Sequence, residues 1–319
     1  VVLSDLAVKA LRDNAYYKDW TFKTQPTMPD NSSYYYGISY DITASSPSVT
    51  RTGNMTWHRT LPIQSQMKGC LVNDDGTVNY YLNPLDWSKK AGGGNSNLDG
   101  TDGQVMVEVP THWYRTILSG NTYEYRLSPV PILGYTRVPR FYYSAYEAAL
   151  NRSTLKLSSV VNTTVTYRGG NNNAAYDANV NTFLGRPATL INRTNFRTYA
   201  DNRGTRWSQH TGETYSAIYW LYIVEYATRN SQAAVNYALD ANGYHQGGLG
   251  NGVTTAISAE WNTFNGYYPY VPCGASNSLG NGSGEVNYVA VNFGGAGVNR
   301  TFTVPRYRGI ENPFGHIWK

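Results

Sequence analysis

The sequence predicts an α+β fold in which two helices sit among β-hairpins and long irregular loops. Three observations carry this. Residues 188–203 and 214–230 repeat their apolar side chains at helical spacing, and two other stretches pivot on turn signals at Asp75-Gly76 and Ser119-Gly120-Asn121. Residues 241–300 are rich in Gly, Asn and Tyr and show no helical period.

Taken in chain order, residues 4–20 read as a short helix, an arm or connector, with Ser4 as N-cap and Leu6, Ala10 and Leu11 on one face. Alternation through Tyr36, Ile38, Tyr40 and Ile42 predicts a strand, and Ser46-Pro47 a turn. Two β-rich runs within 61–83 meet at Asp75-Gly76, the strongest hairpin signal in the chain. Residues 88–103 read as an exposed loop. Their glycines are no phosphate cradle, since no Gly-Lys-Ser/Thr follows and no helix starts there. Residues 104–128 alternate on both sides of Ser119-Gly120-Asn121, predicting a hairpin of longer strands, and a third strand runs from Arg140 toward a short helical turn.

The first helical segment places Ile191, Asn195, Tyr199 and Asn202 near one side and stops at Gly204. The second places Ile218, Leu221, Val224 and Tyr226 through Ala227 at helical spacing and is apolar nearly all round, which implies burial on most sides. Between 241 and 300 only the stretch around 285–293 reads as a strand; the rest reads as a loop system of the kind that carries function on a rigid base.

Charged residues make up only 15% of the chain against 14% aromatic, including 29 tyrosines, a palette of β-rich extracellular and virion proteins and of binding surfaces. The net charge of +5 is scattered rather than gathered into a stripe, which argues against nucleic-acid binding. No run approaches a transmembrane span and the first residues are charged where a signal peptide is apolar, so membrane insertion is not expected. The chain starts without Met, and it ends on "YRGIENPFGHIWK", whose Phe314, Ile317 and Trp318 look made for burial. Both ends read as cut from something longer. Phe314 and Trp318 are expected to pack on the 214–230 helix or the 140–146 strand.

Catalytic chemistry finds little support. Cys70 and Cys273 are either a disulfide or two buried thiols, with thiols favoured. The five histidines, at 58, 112, 210, 245 and 316, lack the spacing of a metal site and read as structural. Glu108, Glu147 and Glu225 fall in apolar strands or helices, where a carboxylate must find partners; Arg186, Arg203 and Arg206 are the candidates. Asp99, Asp102, Asp177 and Asp240 form no calcium signature, and no cofactor is expected.

Ligand binding finds more. Trp261, Phe264, Tyr267, Tyr268 and Tyr270, interleaved with Asn262 and Asn265, can stack sugar rings, and equally can form a loop core around Pro269 and Pro272. Residues 167–181 read as an exposed rim offering Asn171, Asn172, Asn173 and Tyr176 as adaptable contacts.

The ordered set "FYYSAYEAAL" (141–150), "GRPATLINRTNFRTYADNRG" (185–204), "WLYIVEYATRNSQ" (220–232) and "NPFGHIWK" (312–319) resembles the C-type-lectin-like fold of the formylglycine-generating-enzyme type. More narrowly, "LDGTDGQVMVEVPTHWYR" (98–115), the Tyr-Glu strand and residues 203–232 resemble receptor-binding proteins of bacteriophage and prophage tails, relatives of the targets of diversity-generating retroelements. The resemblance covers about 60–319. It implies an N-terminal arm and β-rich connector at 1–59 and a C-type-lectin-like domain at 60–319, truncated before its closing strands. It further implies a virion-tail or bacterial-surface adhesin that binds a bacterial glycan or outer-membrane protein without catalysis. Such a protein would contact other tail subunits and assemble as a homo-oligomer, a trimer by the same analogy. In this family Glu147 and Glu225 match acidic positions that tie helix to strand. The alternatives are a structural tail, baseplate or capsid-associated protein, and an oxidoreductase, which would need Cys70 and Cys273 close together and solvent-reachable.

Overall fold

The computed structural model describes residues 5–8, 27–177, 182–251, 271–293 and 297–314. Strand accounts for 36% of the described residues and helix, 3-10 turns included, for 16%. The protein is therefore mostly β, built from several antiparallel sheets, and the expectation of an α+β, C-type-lectin-like domain with two helices is corrected. The two helical periods are real, but many strands are only two to four residues long and carry too little alternation to be seen in sequence.

The first sheet runs β13 (Trp207–Gln209), β1 (Asp5–Val8), β10 (Phe141–Glu147), β6 (Gln104–Val109), β4 (Lys68–Val72) and β5 (Val78–Tyr81), antiparallel throughout. The second runs β3 (Thr50–Gly53), β2 (Tyr36–Asp41), β8 (Thr122–Ser128), β7 (His112–Ser119) and β9 (Thr136–Val138). A third joins the long ribbon of β16 (Gly284–Phe293) and β17 (Val298–Tyr307) to β18 (Ile310–Glu311). Two small ladders pair β11 (Ala149–Asn151) with β12 (Lys156–Ser158) and β14 (Val235–Asn236) with β15 (Gln246–Gly247). The α-helices of the described residues are α1 (Met55–Thr60), α2 (Arg193–Asp201) and α3 (Gly212–Tyr226).

Local chemistry explains much of this. In the β4–β5 turn Gly76 takes φ +83° while its N–H donates to Asn73 O at 2.8 Å, and the Asp75 carboxylate accepts the Thr77 N–H at 2.8 Å. Pro110 has no N–H for a ladder, so the predicted strand from 104 breaks there. β6 stays in the first sheet, while β7 enters the second and makes the predicted hairpin with β8. The short helical turn expected after β10 is instead strand β11. Residues 5–8 form a strand between β10 and β13 rather than the predicted helix, tertiary pairing overriding a weak local signal; residues 9–20 of that expectation lie outside the described residues. Helix α3 starts on a Thr211–Thr214 capping box and ends with Ala227 in the left-handed region.

Period-two alternation gives the first sheet two apolar faces. Val105, Val107, Phe141, Tyr143 and Ala145 share one core with Ile218, Leu221, Tyr222 and Val224 of α3 and with Tyr36, Ile38, Tyr125 and Leu127 of the second sheet. On the opposite face Cys70, Val72, Met106 and Tyr142 pack with Phe196 and Ala200 of α2. Residues on both sides of position 60 thus contribute to one core. Phe314 packs where expected, its ring 5.2 Å from Tyr222 and 6.2 Å from Tyr219 of α3; Ile317 and Trp318 lie outside the described residues.

Glu225, in the last turn of α3, is 1% exposed. Its carboxylate accepts from Arg308 Nη2 at 2.5 Å and Nε at 3.1 Å and from the Tyr307 hydroxyl at 3.0 Å. Its own carbonyl accepts from Arg51 Nη2 at 2.7 Å, and Arg51 also donates to His245 O at 3.0 Å. Glu225 therefore ties α3 to the end of β17, to β3 and to the 240–247 turn, a structural role as expected. Its partner is Arg308, however, rather than Arg186, Arg203 or Arg206. Arg203 instead pairs with Asp74 and donates to Leu157 O, and Arg186 donates to Thr182 O.

Two predictions follow from the buried groups. Glu225→Gln leaves the Arg308 guanidinium without its counter-charge and should cost about 3–5 kcal/mol, read as a lower urea midpoint with an unchanged slope. The rings of His58 and His112 are fully buried, and each donates one N–H to a carbonyl, of Thr52 and Pro110 respectively at 2.9 Å. Burial pushes both pKa values down from 6.5 to about 4. Between these limits the unfolded chain binds more protons than the folded one, so stability should be lost as pH falls from about 6.5 to about 4, by roughly 3 kcal/mol per ring. Urea midpoints measured across that window should fall, and less steeply in His112→Asn.

Candidate functional site

The loop predicted as a rim stands at the surface, with Asn171, Asn172 and Asn173 exposed. Their side chains also shape the loop. The Asn171 carbonyl oxygen accepts the Asn173 N–H at 3.1 Å, and Asn173 caps the 3-10 turn Ala174–Tyr176 through the Ala175 N–H at 3.0 Å. Asn172, at φ +70°, accepts from Arg168 Nη1 at 3.0 Å. Arg168 grips Asp177 and holds its carboxyl below the usual range, and the Tyr176 ring stacks on buried Phe183 at 4.6 Å. Trp261, Phe264, Tyr267, Tyr268 and Tyr270 lie outside the described residues.

The ionisable groups bind their own fold. Among the described residues no three His, Cys, Asp or Glu side chains converge as a metal site. Glu108 accepts from the Tyr81 hydroxyl at 2.9 Å, with Lys68 at 3.7 Å and Arg140 at 3.8 Å. Asp99, Asp102 and Asp240 accept from Thr101 N, the Tyr80 hydroxyl and Tyr244 N at 2.8, 2.8 and 2.9 Å. Cys70 and Cys273 are free, buried thiols in separate core clusters, and burial pushes both pKa values up, away from the reactive thiolate.

The second sheet builds something the sequence did not announce. Its register puts Tyr40 opposite Tyr123 and Thr116 opposite Tyr125, so Tyr40, Tyr123, Tyr125, Tyr114, Thr116 and Leu118 share one face. Helix α3 covers the part of this face nearest the core and lays Trp220 against it. Tyr125 stacks on Trp220 at 4.4 Å and 9°, Tyr114 on Tyr125 at 5.5 Å and 8°, and Tyr123 on Trp220 at 5.5 Å and 24°. Tyr40 leans on Tyr123 at 5.4 Å, Tyr219 meets Trp220 edge-on at 5.3 Å, and the Arg229 guanidinium lies 5.0 Å over Tyr40.

The column is half in and half out of the protein. Tyr125 is 3% exposed, whereas Tyr40, Tyr114, Tyr123, Tyr219 and Trp220 are half-buried and Leu118 beside them is 62% exposed. None of these four half-buried tyrosine hydroxyls, nor the Trp220 indole N–H, makes a hydrogen bond among the described residues. Burial raises the Tyr40 pKa and lifts that of Tyr123 to about 12, so both remain neutral phenols able to donate and accept. The other face of the sheet is closed on itself by ion pairs of Arg115 and Arg126 with Asp30 and of Arg126 with Glu124.

The strands that carry Tyr40, Tyr114 and Tyr123 were each legible in sequence. Their meeting depends on β2, β8 and β7 being neighbours and on the seating of α3, which no local pattern encodes. No protein family, curated protein or solved structure matches the chain. The burial of the thiols is directly testable: a thiol reagent should label neither Cys70 nor Cys273 in the native protein and both after unfolding in guanidinium. Labelling of either in the native state would restore cysteine chemistry as a reading.

Proposed function

We propose that this chain is a non-catalytic adhesin of a phage or prophage tail that recognises a bacterial surface glycan through the aromatic face of its second sheet. The observation that carries the reading is the column formed by Tyr114, Tyr125, Trp220, Tyr123 and Tyr40, whose outer rings are half-buried and whose outer hydroxyls make no hydrogen bond among the described residues. A pyranose presents apolar C–H patches and equatorial hydroxyls together, which is what rings flanked by free phenols complement. The rings stand on three neighbouring strands about 4.8 Å apart, so the row spans roughly 10 Å, room for a short oligosaccharide. Each ring is already held by its neighbours, so little side-chain entropy remains to be lost on binding. The tail assignment rests on the ordered motifs of the sequence, and neighbouring tail genes would support it.

The test is binding of the folded chain to a panel of bacterial surface polysaccharides and to intact cells. The wild-type chain should be retained on a subset, and Tyr123→Ala, with its circular dichroism unchanged, should weaken that retention by about tenfold or more. Retention by Tyr123→Ala equal to wild type, or none by the wild type on any surface, would overturn the reading.

A further inference from the structure

We infer that the glycan bound at this face is acidic, with a carboxylate on one sugar held by Arg229 while neighbouring rings lie along Tyr40 and Tyr123. The inference rests on the aromatic face being the ligand site, and it adds the charge of the ligand.

Arg229 is exposed, and among the described residues it has no acidic partner; its contact is the Tyr40 ring at 5.0 Å. Several arginines are matched to carboxylates, Arg115 and Arg126 to Asp30, Arg168 to Asp177, Arg203 to Asp74 and Arg308 to Glu225; Arg229 differs from these and from the other exposed arginines in lying against the aromatic column. A guanidinium lying on an aromatic face keeps its N–H fork available at the edges, in the geometry that receives a carboxylate through two parallel bonds.

The backbone beneath Arg229 is held on both sides. Ala227 N donates to Ile223 O at 2.8 Å, the Tyr222 hydroxyl to Asn230 O at 3.2 Å, and Leu249 N to Ser231 O at 2.8 Å. The cation is thus displayed from a fixed turn next to the column. Asp41, the acid beside Tyr40 in sequence, sits on the opposite side of the strand by alternation, and its carboxylate is engaged with Thr43 N at 2.8 Å and Oγ1 at 2.6 Å. The net charge of +5 adds a long-range attraction for a polyanionic chain at low salt.

The experiment is an array of matched acidic and neutral glycans, uronates beside their methyl esters and sialylated chains beside desialylated ones, probed with wild type, Arg229→Gln, Arg229→Lys and Tyr123→Ala. The wild type should prefer the acidic member of each bound pair. Arg229→Gln should lose about tenfold in affinity for that member and little for its neutral counterpart, with Arg229→Lys in between. Raising NaCl from low to high concentration should erode the preference in the wild type and not in Arg229→Gln. Equal binding of acidic and neutral members, or Arg229→Gln behaving as wild type, overturns the inference while leaving the glycan-binding reading intact. Unimpaired binding by Tyr123→Ala, or no glycan bound by the folded wild type, overturns both.

Discussion

A buried carboxylate is tolerated only where charge and hydrogen bonds replace its water, and Glu225 receives both from Arg308 and Tyr307. Because Arg308 and Tyr307 reach it from the end of β17 and Arg51 reaches its carbonyl from β3, the C-terminal end of α3 is fixed to two sheets at once. A helix apolar nearly all round has no single face to orient it; hydrophobic burial alone would leave its rotation and slide poorly determined. The polar clamp at its C-terminal end removes that freedom, while the Thr211 capping box at the other end fixes where the helix begins. What α3 then carries is placed with it: Trp220 over the second sheet, and Arg229 three residues beyond its last turn.

The parts of the fold that were legible are those whose signals are local. The Asp75-Gly76 and Ser119-Gly120-Asn121 turns, the strand through Tyr36 and Tyr40, and both long helical periods needed only a turn chemistry or a repeat of side chains. The parts that failed were decided elsewhere in the chain. Residues 5–8 become a strand because β10 and β13 offer edges to them. The strand expected at 285–293 is β16, but its partner β17 went unseen; their pairing turns Val286, Tyr288 and Ala290 of one strand and Phe302 and Val304 of the other to one apolar cluster. Strands of two or three residues, such as β14 and β18, exist only as partners of others and have no period of their own. Counting two helices as half of an architecture therefore overstated their share.

The site divides the same way. That Asn171, Asn172 and Asn173 stand exposed follows from composition, but that each also braces its own loop depends on backbone geometry that composition does not carry. Buried Glu225 was readable as a structural anchor from its apolar neighbours, whereas Arg308 as its partner was not, because 83 residues separate them. The aromatic column is the extreme case. Tyr40, Tyr123 and Trp220 span some 180 positions of chain, and a slip of one residue in the β2–β8 register would send Tyr40 to the opposite face.

This dependence also bears on how recognition and stability share the same rings. Tyr125 and the inner part of Trp220 belong to the core, while Tyr123, Tyr40 and Tyr114 extend that packing outward into water. Stacking of the outer rings on the inner ones removes their rotational freedom before any ligand arrives, and the cost of that ordering is offset by burial already present in the fold. Arg229 extends the same logic by one step, since its guanidinium is ordered by the Tyr40 face rather than by a carboxylate of the protein. An arginine held by a carboxylate has already spent its charge; one held by a ring keeps its full positive charge, and can still exchange water for an anionic partner.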